Sequence, residues 1–170
     1  MQALAQFTNL TYLDLHHNYA SEEARDYLHL STLTNLRRLT STETDMNEFI
    51  MAHLTDLTQL QQLPFYLDGD SIVSAAAHFK NQTAISIHGN IVTDAGVRNL
   101  TCLTKLEFLR LRKCSSISNS AVKDFSMLTN LRSIVIDSCS ALTTDALTGF
   151  SNCTLLKEFM LEASPHINSL

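Results

Sequence analysis

The chain has 170 residues, of which 45% are hydrophobic, and its formal net charge is −5, from 12 Lys plus Arg against 17 Asp plus Glu. These values allow one domain with a continuous core, and the acidic balance argues against a nucleic-acid partner, because phosphates require a surplus of basic side chains. No run of about 18 apolar residues and no secretory signal pattern is present, so we expect a soluble chain without a membrane partner.

A short apolar motif recurs along the chain: Leu, two residues, Leu or Ile, one residue, and a further apolar residue. Its apolar positions in chain order are Leu10, Leu13 and Leu15; Leu36 and Leu39; Leu60, Leu63 and Phe65; Ile85 and Ile87; Leu106, Leu109 and Leu111; Leu131, Ile134 and Ile136; and Leu156, Phe159 and Leu161. The middle positions of successive copies are 22 to 26 residues apart, within the range of leucine-rich repeats. The alternation predicts one short strand in each copy.

Two further features follow each predicted strand. The third position after the motif holds a small residue that we expect to hydrogen-bond the turn: Asn18, Thr44, Asp68, Asn90, Cys114, Cys139 and Ser164. Polar caps then precede an apolar helical pattern, at Ser21, Thr93, Ser118 and Thr143. At one offset from these caps we expect close approach of helix and sheet, because the residues there are small: Ala24, Gly96, Ala121 and Ala146.

Stacking of these units predicts the fold. One repeat cannot bury its leucines alone, so neighbouring strands must pair in parallel about 4.8 Å apart, with the helices on the other face. The prediction is an α/β fold, a right-handed leucine-rich-repeat solenoid (horseshoe) of about seven repeats of 22–26 residues, with strands on the concave face and helices on the convex face.

We expect a single leucine-rich-repeat domain over residues 1–170. Residues 1–9 are predicted to be the end of a partial or capping repeat, residues 10–164 the repeats, and residues 165–170 a tail. The spacing from Phe79 to Ile85 is three residues shorter than that from Leu54 to Leu63, which predicts a local irregularity in curvature there.

The fifth and sixth copies resemble the cysteine-containing class of leucine-rich repeats. Cys114 and Cys139 stand at the cysteine position of that class, and residues 92–97 and 143–146 are similar to its Thr-Asp helix start, whereas the second and third copies lack both features. Repeats of this class often belong to substrate receptors of F-box ubiquitin ligases, and similar arrays occur in other intracellular scaffolds and in bacterial effectors. The resemblance implies protein binding in the cytoplasm or elsewhere inside a cell, including the host cytosol for an effector.

The outward positions of the predicted strands form three parallel columns, which we define as the concave face. Tyrosine, phenylalanine, methionine and arginine on this face are types enriched at protein interfaces. The candidate partner-binding residues are Tyr12, Asp14, His16, Arg38, Tyr66, His88, Phe108, Arg110, Arg112, Asp137, Met160 and Glu162. Arg112 and Asp137 are predicted lateral neighbours, either as a structural pair or as a dipolar patch that orients a partner. The alternative interpretation is a solvated face without a partner.

No catalytic or metal site is predicted. His16 and His88 lie three repeats apart in one column, about 14 Å at strand spacing, which is too far for a shared metal ligand set. The sequence has none of the motifs of nucleotide-binding proteins, serine hydrolases or zinc peptidases. We therefore expect no enzymatic activity, cofactor, metal or small-molecule substrate.

The four cysteines are expected to be free thiols in a reducing compartment. Cys114 and Cys139 are predicted to stack as neighbours in the core, where a thiol behaves as a small hydrophobe, with a disulfide as the minor alternative. Cys153 matches a core position, whereas Cys102 falls outside that register and is predicted to be exposed.

The sequence favours a non-enzymatic scaffold that binds a protein partner on its concave face, as a recognition module of a ubiquitin ligase or as a pathogen effector. The first alternative is a structural or spacer segment of a larger multidomain protein. A weaker alternative is RNA binding, which would use a basic set of residues and would be strongest at low salt. That set is Arg37, Arg38, Arg110, Arg112 and Lys113.

Overall fold

A computed structural model describes residues 6–14, 29–40, 51, 54–63 and 66–167. Six parallel strands run through the described residues: β1 (Tyr12–Asp14), β2 (Arg38–Thr40), β3 (Ala84–His88), β4 (Phe108–Arg112), β5 (Ser133–Asp137) and β6 (Glu158–Glu162). The strands pair in sequence order, and Gln62 connects β2 to β3 through bridges to Arg38 and Ala84. The predicted parallel sheet with one strand for each copy is therefore confirmed for these segments.

The middle leucine position of each copy lies beside the same position of the next copy. Leu13 pairs with Leu39, and in the second group of strands Ile85, Leu109, Ile134 and Phe159 are paired in file. The row continues through Leu63, which follows the bridging residue Gln62 and packs half-buried against the core. The side chains of this row form one buried seam, as the repeat spacing predicts.

Helical segments form the layer opposite the sheet. The α-helices are α1 (Asp70–Ala76), α2 (Asp94–Arg98) and α3 (Asn119–Lys123), and 3₁₀ helices cover Asn99–Cys102, Asp124–Met127 and Thr144–Phe150. Each segment buries its apolar side against the leucine seam, for example Val97, Leu100, Val122 and Phe125. One predicted cap and the helical pattern after it lie outside the described residues: Ser21 is the cap, and Ala24, Tyr27 and Leu28 are the apolar residues that follow it.

The small residues at the fixed offset from the caps are buried: Gly96, Ala121 and Ala146. A Cβ atom built on Gly96 would clash with the side chain of Asp70, so no larger side chain fits there without displacing the preceding helix start. The close contact at Gly96 is therefore with the preceding helix, whereas the sequence predicts close approach of helix and sheet.

Hydrogen bonds between repeats follow the same period. The backbone N–H just before each strand or bridge donates to the carbonyl of the equivalent residue in the preceding copy. Arg37 donates to Thr11, and the later donors in this series are Gln61, Thr83, Glu107, Arg132 and Lys157. Asparagine side chains add a second set: Asn35, Asn81 and Asn130 donate to the carbonyls of Thr8, Thr58 and Thr104 at 2.7–3.0 Å. These bonds satisfy loop carbonyls and fix the register between copies.

A third set of hydrogen bonds joins successive helix starts. Asp70 accepts from the backbone N–H of Thr93 at 2.7 Å and from its hydroxyl at 2.6 Å, and Asp94 accepts the same two bonds from Ser118. Asn119 takes the equivalent place for Thr143. The sequence suggests only local caps at Thr93, Ser118 and Thr143. Thr93 and Thr143 do cap locally, while the Ser118 hydroxyl donates to Asp94 instead.

The third copy departs from the predicted register. Gln62 pairs with Ala84, but Leu67 pairs with Ile87, so the chain holds two more residues between these points than β3 does. Leu67, rather than Phe65, therefore occupies the buried position beside Ile87, and Phe65 itself lies outside the described residues. The insertion is offset by a shorter connection from Leu67 to the start of α1.

The predicted irregularity between Phe79 and Ile85 is wrong in its location. The segment from helix start to next strand keeps one length, because Asp70 precedes Ala84 by as many residues as Asp94 precedes Phe108. Phe79 corresponds to Leu57 and not to Leu54, as the repeated turn bonds show: the N–H of Leu57 donates to Leu54 and that of Phe79 donates to Ala76. The compensating changes lie before α1.

A left-handed residue follows each of the last four strands. Gly89 has φ 110°, and Lys113, Ser138 and Ala163 have φ 54°, 56° and 43°. The sharp turn takes the chain out of the sheet toward the helical layer. Glycine is favoured there because a Cβ atom raises the energy of left-handed backbone.

Replacement of Gly89 by alanine is expected to lower the free energy of unfolding by about 1–2 kcal/mol, because alanine is strained at this φ. The reverse change at the equivalent position, Ala163→Gly, is the matched control and is expected to be neutral or stabilising. Urea unfolding of both variants checks this, and equal destabilisation by the two changes would contradict the turn geometry.

Candidate functional site

The structure aligns the predicted columns of the concave face. The first column is continuous in the register and consists of Tyr12, Arg38, Gln62, Ala84, Phe108, Ser133 and Glu158. A second contains Ser86, Arg110, Val135 and Met160, and a third contains His88, Arg112, Asp137 and Glu162. Of the predicted site residues, only His16 lies outside the described residues.

The first two strands bring three predicted residues together. The guanidinium carbon of Arg38 lies 5.9 Å from the centre of the Tyr12 ring, a cation–π contact, and the Tyr12 hydroxyl donates to Asp14 at 3.2 Å. All three side chains are exposed. They are separated from the Arg110 region by Gln62 and Ala84, so they form a distinct part of the concave face.

Tyr66 and His88 form the next contact on the face. Their ring centres are 5.7 Å apart, and Tyr66 is 40% exposed. The sequence spacing predicts that Tyr66 and His88 are lateral neighbours in one outward column. This prediction is wrong in register, because Leu67 pairs with Ile87 and Tyr66 lies one residue before Leu67. The ring of Tyr66 nevertheless contacts the imidazole ring of His88.

The centre of the face holds two arginines in different environments. The Nε atom of Arg112 lies 3.0 Å from Oδ2 of Asp137, which confirms the predicted lateral pair, and Oδ1 of Asp137 accepts the Ser138 hydroxyl at 2.7 Å. Asp137 is 7% exposed, so its carboxylate is committed to these two groups. Among the residues that the structure describes, Arg110 pairs with no carboxylate, whereas Arg112 does. The Nε atoms of both arginines are buried without a hydrogen-bond partner, so the ion pair with Asp137 is what distinguishes Arg112.

The C-terminal side of the face is acidic and more open. Met160 is 47% exposed, and Glu158 and Glu162 flank it on β6. Val135, between Arg110 and Met160, is only 6% exposed. The face thus changes from basic and aromatic on β4 to acidic on β6.

A recess in the concave face was not predicted from the sequence. It has a volume of about 150 Å³ and lies where the third copy departs from the register, between Gln62, Leu67, Ser86 and Phe108. The signal in the sequence is the period of 22 residues between Leu63 and Ile85, together with Pro64, which has no N–H for a ladder hydrogen bond.

The described residues show no group of three or more His, Cys, Asp or Glu side chains arranged to hold a metal ion. Cys114, Cys139 and Cys153 are buried free thiols and Cys102 is exposed, as predicted. A hydrogen bond to Cys139, together with burial, raises the pKa of Cys114, and burial raises the pKa of Cys153. The hydrogen bond with Cys114 lowers the pKa of Cys139. All three thiols are core groups, and the raised pKa values of Cys114 and Cys153 keep these two protonated, which disfavours a nucleophilic role for them.

Within the described part of the chain, no helix has the length and apolar character that a membrane crossing requires. The longest α-helix that the structure describes, α1, has seven residues.

The stacked parallel strands, the leucine seam and the helical layer define a leucine-rich-repeat solenoid. The protein is similar in structure to internalin C2 of Listeria monocytogenes, with a TM-score of 0.64 and 23% identity over 95% of this chain and 65% of that chain. A second internalin of that organism, inlF, aligns with a TM-score of 0.61 and 22% identity over 99% of this chain and 59% of that chain.

The chain spans about two thirds or less of the length of these two structures, and the likeness concerns the fold. No protein-family model matches the sequence, and a search of curated proteins finds no match either.

The Arg112–Asp137 pair is expected to have a coupling free energy of about 1 kcal/mol, because one partner is nearly buried and the other is 40% exposed. A double-mutant cycle with Arg112→Gln and Asp137→Asn, read by urea unfolding, measures it. The exposed pair Arg132–Glu107, whose N–O distance is 3.3 Å, is the control and should couple by less than about 0.5 kcal/mol. A larger coupling for the control pair would contradict this assignment.

Proposed function

We propose that the protein is a non-enzymatic scaffold that binds a protein partner on its concave face. The observation that carries the proposal is the centre of that face, where Phe108 and Arg110 lie beside the recess and the buried Nε of Arg110 has no hydrogen-bond partner among the described residues. Partly buried aromatic and arginine side chains in a concave setting are typical anchors of protein interfaces.

The charge pattern supports an oriented partner. Arg110 forms no ion pair with any carboxylate in the described part of the chain, whereas β6 presents Glu158 and Glu162 on the same face. A partner with an acidic part over β4 and a basic part over β6 would match both regions, and such complementarity sets orientation and association rate more than affinity.

The wider role that we propose is recognition inside a cell, as the substrate-binding part of a ubiquitin ligase or as an effector, with residues 1–170 as one repeat domain. The cysteine class of repeats supports this role. Cys114 and Cys139 are buried at equivalent turns, where their thiols lie 3.3 and 3.4 Å from the carbonyls of Arg112 and Asp137. Neighbouring free thiols in a core are consistent with a reducing compartment.

A second candidate function is a structural segment within a larger array. The observation that favours it is the incomplete burial of Phe159 and Leu161, since their neighbours Ile134 and Ile136 are inaccessible to solvent. A further layer packed against β6 would bury them. This candidate predicts association through the β6 edge and no effect of changes at the centre of the concave face.

Affinity capture from cell extract, quantified by mass spectrometry, tests the first proposal with the double variant Arg110→Glu plus Phe108→Ala. Loss of a protein partner by about tenfold or more is expected, because the change reverses the central charge and removes the aromatic anchor. The matched control, Arg132→Glu plus Met127→Ala, changes the same charge and a similar apolar side chain at exposed positions outside the three columns.

Circular dichroism establishes that both double variants are folded. Retention of every partner by the folded Arg110 variant would move the interface off the concave face. Loss of the same partners by the control variant would contradict the proposal equally, since the effect would then not depend on the face.

A further inference from the structure

The recess on the concave face is lined by both apolar and polar side chains. The apolar residues are Leu63, Leu67, Ala84, Ile85 and Phe108, and the polar residues are Gln62 and Ser86. A cavity of about 150 Å³ lined by such side chains is large enough for a benzene-sized group. The recess opens on the concave face, so an incoming side chain reaches it without a rearrangement of the core.

Arg110 lies next to this recess. Ser86, its register neighbour on β3, lines the recess, and Phe108 precedes Arg110 by two residues on β4 and faces the same way. Two residues along a strand correspond to about 6.6 Å. The backbone positions of Phe108 and Arg110 are therefore as far apart as alternate residues of an extended peptide that runs along β4.

The side chain of Arg110 is partly exposed, but its Nε atom lacks an acceptor among the described residues. Its Nε is buried without a hydrogen-bond partner, while the nearby carboxylate of Asp137 is occupied by Arg112 and Ser138. Val135, on the other side of Arg110, is almost completely buried and offers no polar group from its side chain. Leaving a charged donor desolvated is costly, and a carboxylate relieves this cost through charge-assisted hydrogen bonds.

We propose that the recess and Arg110 form a two-point anchor for an acidic protein segment. One apolar side chain of the segment fills the recess, and a carboxylate two positions away in an extended chain binds the guanidinium of Arg110. This inference rests on the proposed function, since it places the partner on the concave face and adds the chemistry of the segment that docks there.

Charge and shape both argue for this occupant. A phosphate backbone would satisfy Arg110 but would leave the apolar recess empty. A purely apolar segment would fill the recess and leave Arg110 unpaired. An apolar residue next to an acidic residue satisfies both features at once.

The test selects a displayed library of random peptides against the folded wild-type chain. Enriched peptides are expected to carry an acidic residue and an apolar residue two positions apart. Their affinity for variants is then measured with the synthetic peptides. Enrichment of basic peptides, of peptides without this pair, or of none above background would overturn the proposal.

Two variants remove the two anchor points separately. Arg110→Gln removes the charge, and Ala84→Leu places a larger side chain on an outward position that lines the recess. Each is expected to weaken the selected peptides by about tenfold or more. The matched controls are Arg132→Gln, outside the columns, and Ser133→Leu, in the same column as Ala84 but beside Phe108 and not among the residues that line the recess. Their effect should be under about twofold.

A third variant separates this inference from the proposed function. Met160→Lys changes the concave face on β6, away from the recess and from Arg110. Peptides that lose affinity for Met160→Lys but keep it for Arg110→Gln and Ala84→Leu would overturn the two-point anchor and leave concave-face binding intact. Peptides unaffected by all three variants would overturn both. Should Ala84→Leu fail to fold, the Arg110→Gln measurement decides alone.

Discussion

Lateral packing of equivalent apolar side chains is the interaction on which the rest of the structure depends. A single copy of about 24 residues has too few neighbours to bury its own leucines, so each copy is buried by the copies before and after it. The file that includes Ile85, Leu109 and Ile134 supplies this contact. Because a strand pairs with its neighbour in register, the residues between the buried positions also align, and the columns of the concave face follow from the core.

Polar groups then determine how accurately the copies stack. The main-chain bonds ahead of each strand, the asparagine bonds to loop carbonyls and the Asp–Thr or Asp–Ser bonds at the helix starts all cross from one copy to the next. They lie on different sides of the leucine seam, so sliding or rotation of one copy would break several at once. A rigid frame of this kind lets the outward residues vary without loss of the fold, which suits a binding surface.

The sequence predicts those features that follow from periodicity. The seam, the register of Arg112 with Asp137, the burial of Cys114 and Cys139 and the exposure of Cys102 depend on counting residues, and the structure confirms them. The helix-start bonds were missed because Asp94 and Ser118 each look like local cap residues. Their true partners are one repeat away, a distance that a local motif does not express. The number of repeats stays a prediction.

The third copy shows where residue counting fails. The third copy has an insertion between Gln62 and Leu67 and a deletion between Leu67 and α1, and the two changes nearly cancel. The period of 22 residues therefore conceals both changes, and residue counting places the shortening between Phe79 and Ile85, which is the wrong segment. The recess beside Phe108 lies at this same place in the sheet. Arg110 could be placed on the face from sequence, but its lack of a partner depends on Asp137 turning toward Arg112 and Ser138, which requires side-chain coordinates.

The central claim is that the middle leucine positions stack in one buried file. Nuclear Overhauser effects between methyl groups of the chain in solution test it directly. Strong contacts are expected from Ile85 to Leu109 and from Leu109 to Ile134, with none between Ile85 and Ile134, which are two strands or about 9.6 Å apart. Absence of the contacts between neighbours, or equally strong contacts between all three methyl groups, would contradict the stacked seam.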